Sequence, residues 1–81
     1  MISSEYVDRL CYLFSQFTQP DNAVLEATEN EVNKLIESDP IEFIHNCSAI
    51  IMDDNIENNI IFYAIQNIAR SLSPYDISIN I

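Results

Sequence analysis

Val24-Leu25-Glu26-Ala27-Thr28-Glu29-Asn30-Glu31-Val32 is echoed 36 positions on by Ile60-Ile61-Phe62-Tyr63-Ala64-Ile65-Gln66-Asn67-Ile68, with Val24, Thr28 and Val32 matched by Ile60, Ala64 and Ile68. A four-residue interval keeps returning to one face of a helix. Four helix-sized patterns run along the chain, with Pro20 and Pro40 at the first two junctions between them, so the recurrence reads as one helix pair repeated once. Repeats of this period belong to helical solenoids, whose work is binding. The expectation is an all-α fold of two antiparallel helix pairs stacked as the repeats of an α-solenoid.

Working outward, Tyr6, Leu10, Leu13, Phe14 and Phe17 form one broad stripe and predict a first helix over 4–17, with Ser3 or Ser4 as N-cap. Thr18-Gln19-Pro20-Asp21 ends it, because a proline disfavours helical geometry at the residue before it. Thr18 or Asn22 is the expected cap of a second helix over 22–38, with Val24, Thr28, Val32, Leu35 and Ile36 inward. Asp39-Pro40-Ile41-Glu42 is a capping box with proline at the tolerated first position. It predicts a third helix over 40–53 with Ile44, Cys47, Ile50 and Ile51 as its stripe. Asp54-Asn55-Ile56-Glu57 offers a further box and a fourth helix over 55–72.

That fourth helix is apolar around most of its circumference, from Ile60 to Ile68. Such a helix is buried on more than one side. Ser73-Pro74-Tyr75-Asp76 repeats the pattern of 39–42, so a fifth helix is expected to start near 74 and extend the stack, leaving its C-terminal end open. Two repeats fall short of the three or so that a stack needs. The isolated chain is therefore expected either to form a homodimer through 60–72 and the tail, or to be a piece of a longer protein.

Eighty-one residues make one small domain, here residues 1–81. Thirteen acids against three Lys and Arg give a net charge of −10, which repels phosphate backbones and favours a basic protein partner. Direct nucleic-acid binding is not expected. No apolar run approaches the roughly 20 residues that span a bilayer. Residues 1–8 lack the basic start and apolar stretch of a signal peptide, so a reducing intracellular compartment is the expectation. Cys11 and Cys47 fall in apolar helical patterns and read as buried free thiols.

Little in the sequence points to catalysis or to a cofactor. The chain contains no glycine, which excludes the glycine-rich phosphate loops. His45 and Cys47 are two apart, about 200° around a helix, and are not expected to share a metal. Asp53, Asp54 and Glu57 lack the alternation and central glycine of a calcium loop and read as helix caps. Glu26, Glu29, Glu31 and Glu37 are either a solvated face or a surface for a basic partner. Lysine hardly compensates them, which favours the second reading.

Three segments together resemble the N-terminal domain of the importin-β (karyopherin-β) family of nuclear transport receptors. They are Asn22-Ala23-Val24-Leu25-Glu26-Ala27-Thr28-Glu29-Asn30-Glu31-Val32, Ser38-Asp39-Pro40 and Phe62-Tyr63-Ala64-Ile65-Gln66-Asn67-Ile68. The paired aromatics and glutamine of the last are closer to exportins, although Phe43 stands where many exportins have tryptophan. The resemblance implies HEAT repeats at the start of a longer superhelix, with the second helix of each repeat lining the concave surface. It implies a Ran-type small GTPase as partner, transport cargo held by repeats not present here, and a location in cytoplasm and nucleus. Carried over, Glu26, Glu29 and Asn33 of the second helix and Gln66, Asn67 and Arg70 of the fourth would face the GTPase. The competing reading of these six is a merely solvated face. The rival to the receptor is a four-helix adaptor closed into a bundle that pairs with a like domain. A small enzyme or metal protein would have to rest on His45 and the two cysteines alone.

Overall fold

The computed structural model describes residues 2–76, and side chains as far as Leu72. Four helices account for nearly all of it: α1 (Ser4–Gln16), α2 (Asn22–Ser38), α3 (Pro40–Ile51) and α4 (Asn58–Asp76). The fold is all-α.

Caps fix where each helix begins. The Ser3 hydroxyl accepts from the Tyr6 amide at the start of α1. The Asp21 carboxylate accepts from the Ala23 amide at 2.8 Å, so Asp21 caps α2 in place of Thr18 or Asn22. Thr18 instead donates its hydroxyl to the Ser15 carbonyl at 2.7 Å, closing the end of α1. Asp39 is at once the C-cap of α2 and the N-cap of α3, its carboxylate accepting from the Glu42 amide at 3.1 Å. A cap of this kind contributes about 1 kcal/mol, and here it also fixes the phase between two helices.

The fourth helix differs from expectation at both ends. It begins at Asn58 rather than 55, because the Asp53 carboxylate captures the Asn55 amide at 2.9 Å and holds 53–56 in a turn. Local side-chain capture of this type competes with helix. The Glu57 carbonyl then accepts from both Ile60 and Ile61 amides at 3.1 Å, and the helix propagates from there. At the other end, α4 runs through Ser73 and Pro74 without a break, so no new helix starts at 74. Proline removes one hydrogen bond, that to the Arg70 carbonyl, and this late in the helix the loss does not end it. Residues 77–81, the rest of the expected fifth helix, lie outside the described residues.

Leu10, Leu13 and Phe14 of α1, Val32 of α2, Phe43, Cys47 and Ile50 of α3 and Ala64 of α4 form the core. Thr28 and Val32 of one recurring motif and Ala64 of the other are all buried. The helices carrying them do not stack on each other, however. The most extensive packing is between α3 and α4, followed by α1 with α2, α1 with α3, α1 with α4 and α2 with α3. Among the described residues α1 and α3 form the spine, and α2 and α4 flank it with little mutual contact.

One buried polar side chain pins this spine, and another serves its own helix. Asn46, fully buried, accepts from the Ser3 amide at 2.9 Å and donates to the Glu42 carbonyl at 2.8 Å, tying the start of α1 to α3. Thr28, also buried, turns its hydroxyl back on the Val24 carbonyl at 2.7 Å.

Candidate functional site

Because α2 and α4 stand apart across the spine, a cleft of about 650 Å³ opens between them. Phe17 at the end of α1, Glu29 of α2 and Tyr63, Gln66, Asn67, Ala69 and Arg70 of α4 line it. The four α4 residues 63, 66, 67 and 70 recur at helical spacing, which places them on one side of that helix.

Aromatic rings make one wall. Phe17 sits 5.3 Å from Tyr63, tilted by 37°, and 6.4 Å from Phe14 in the core, while Phe62 meets Tyr63 edge-on at 5.7 Å. The series leads from the buried centre of the molecule to the rim of the cleft. Separations in this range are favourable ring contacts.

A polar bridge crosses the opposite side. The Arg70 guanidinium donates through Nη1 to Asn67 Oδ1 at 3.3 Å and through Nη2 to Asn33 Oδ1, joining α4 to α2. Asn67, only 4% exposed, donates its own amide to the Tyr63 carbonyl at 2.8 Å. Both ends of the Asn67 side chain are thus engaged within the protein. Glu29 and Gln66 are exposed at the cleft edge, and Glu26 lies on the exposed side of α2 beyond the lining. Of the six residues singled out from sequence, four line one cleft, Asn33 reaches it through Arg70, and Glu26 stands outside. Phe17 and Tyr63 were not singled out. The only sequence signal for them is an aromatic at the end of one stripe and an aromatic pair opening another.

The neighbouring acids differ in their pairing. Glu31 meets Arg9 at 3.5 Å, with both side chains about half exposed, a geometry that contributes little to stability. Glu26 and Glu29 form no ion pair among the described residues. The Glu29 carboxylate at the cleft edge, with Glu26 on the exposed side of α2 nearby and aromatic rings across the cleft, suits a basic or amphipathic protein surface.

Chemical reactivity is low elsewhere. His45 is exposed and Cys47 fully buried, so the two side chains lie on different sides of α3. Burial, with the adjacent Cys11 adding to it, pushes the Cys47 thiol up from 9.0 to about 12. Burial and then Asp8 and Asp53 raise Cys11 as well. Burial, followed by Glu42, Cys47 and Asp39, lifts Tyr6 from 10.0 to about 12. Thiols held in the protonated form are poor nucleophiles. A group whose pKa is higher folded than unfolded stabilises the fold fully below its unfolded pKa, and the contribution disappears as pH rises through the folded value. Stability should therefore fall between pH 9 and about 12, with Cys47 and Tyr6 contributing. Thermal melts across that range should show the decline, and Cys47→Val should flatten it.

Among the described residues no three His, Cys, Asp or Glu side chains converge, and no helix is long and apolar enough to cross a membrane. No protein-family model, curated protein or solved structure matches the chain.

Proposed function

We propose that the chain is a non-catalytic protein-binding module whose cleft between α2 and α4 receives its partner. The observation that carries this reading is convergence. Glu29, Gln66, Asn67 and Arg70, chosen from two sequence segments far apart, line a single 650 Å³ cleft with an aromatic wall. On the resemblance to karyopherins, the partner is a Ran-type small GTPase and the chain is the N-terminal segment of an exportin-like or importin-like receptor. Its two helix pairs are then HEAT repeats, its cargo is held by further repeats, and it works in cytoplasm and nucleus. The net charge of −10 supports a partner with a basic face.

A second reading has its own support. Packing of α1 on α4 and of α2 on α3, with little between α2 and α4, closes the four helices into a ring of neighbours. That arrangement favours the four-helix adaptor over an open stack, in which the second helices of successive repeats lie side by side.

Titrating the chain against a Ran-type GTPase, loaded with a non-hydrolysable GTP analogue or with GDP, at two salt concentrations, separates the two. The receptor reading expects preference for the GTP form, weakened by salt and lost in Glu29→Lys. Absence of binding in both nucleotide states removes the receptor reading and leaves the adaptor.

A further inference from the structure

The exposed face of α4 lies outside the core and beside the cleft, sharing Ala69 with the cleft lining and touching Tyr63 through Phe62. Phe62 is 55% exposed, Ile65 51% and Leu72 42%, and Ala69 is exposed between them. Spaced three, four and three apart, they form one stripe about 15 Å long. The core-facing side of the same helix is accounted for by Ala64, Asn67 and Ser71, all buried. The other large exposed apolar side chains, Ile2, Tyr12, Ile41 and Met52, lie outside α4.

The distribution of charge says what can cover such a stripe. Of 13 acids, 12 lie between Glu5 and Glu57 and the last is Asp76, so residues 58–75 carry none. A cationic partner finds no carboxylate along this face and is drawn to α2 instead. Two copies of the chain, each at −10, repel one another in most orientations. Repulsion is least when the acid-free helices face each other and the acids point away. We infer that the Phe62, Ile65, Ala69 and Leu72 stripe of α4 is a self-association surface, on which a second copy of the chain packs about a two-fold axis.

Area sets the strength. At 55% exposure Phe62 offers about 100 Å², and Ile65 and Leu72 offer somewhat less. Doubled by symmetry and with the flanking Asn58 and Asn59, the contact totals on the order of 1,000 Å², the low end for a specific interface. The dimer is weak and forms at micromolar concentration or above.

Sedimentation equilibrium of the full chain across the micromolar range, at low and high salt, tests this. The expected result is a monomer–dimer equilibrium that tightens with salt, because screening relieves the repulsion of two acidic copies. The partner cleft has the opposite salt dependence, so one assignment can fail while the other stands. Ile65→Glu and Leu72→Glu, at exposed positions, should each weaken the dimer by at least about tenfold while leaving the melting temperature nearly unchanged. Glu29→Lys should leave the dimer intact. A chain that is monomeric throughout, or a dimer indifferent to both stripe substitutions, overturns the inference.

Discussion

Phe43→Ala should move the urea midpoint of the chain sharply downward. The ring is fully buried between all four helices' contributions to one core, beside Cys47 and Ile50 on its own helix. Truncating a buried Phe costs about 3–5 kcal/mol, the lost transfer energy plus the cavity left behind. A chain of 81 residues has roughly 4–12 kcal/mol to lose. The substitution removes at least about a quarter of that and brings the unfolded population within reach of ordinary urea titration. Phe43→Leu keeps most of the volume and should cost less than about 2 kcal/mol. Equal midpoints for parent and Phe43→Ala would mean that the ring does not sit in the core.

Arg70→Ala should destabilise by about 2 kcal/mol and weaken binding in the cleft as well. Hydrogen bonds from a charged group are worth about 1.5–3 kcal/mol each when partly buried. Removing the guanidinium leaves the nearly buried Asn67 without its Nη1 donor and releases Asn33 on α2. Arg70→Lys should fare little better, since a single ammonium cannot reproduce a fork that serves two amides. Asn33→Ala combined with Arg70→Ala should add little to Arg70→Ala alone, because both remove the same bridge. Additive losses in that double-mutant cycle would show that the bridge contributes nothing.

What could be read from sequence follows the range of the interaction involved. Caps at Ser3 and Asp39 are contacts within three residues, so the sequence pattern suffices to find them. Asp53 uses equally local chemistry but takes the Asn55 amide into a turn, and a capping-box pattern cannot tell an Asx turn from a helix start. Phe43 was missed from the core because Ile44, Cys47, Ile50 and Ile51 already make a plausible stripe. The true inward face is Phe43, Cys47 and Ile50, one residue round the helix, and Ile44 and Ile51 flank it. Asn46 shows the harder limit. Its acceptor role depends on Ser3, 43 residues away, and nothing local marks a buried amide. The cleft was legible as a set of polar positions on α2 and α4 but not as a cleft, since its aromatic wall needs Phe17 of α1 brought to Tyr63.

The two corners of the chain differ in their freedom. Asp39 alone joins α2 to α3 and is bonded to both, whereas six residues, 52–57, separate α3 from α4. Angular change at Asp39 would break a C-cap and an N-cap together, and the Asn46 bond to the Ser3 amide holds α1 on α3, so these three helices are the more firmly joined part. Any widening of the cleft to admit a partner is then a swing of α4 about 52–57, resisted by its packing on α3 and by the Arg70 bridge. The cleft then has one moving jaw, and because 52–57 precede the first α4 residue of the lining, Tyr63, a small turn there is carried along the helix as far as Arg70.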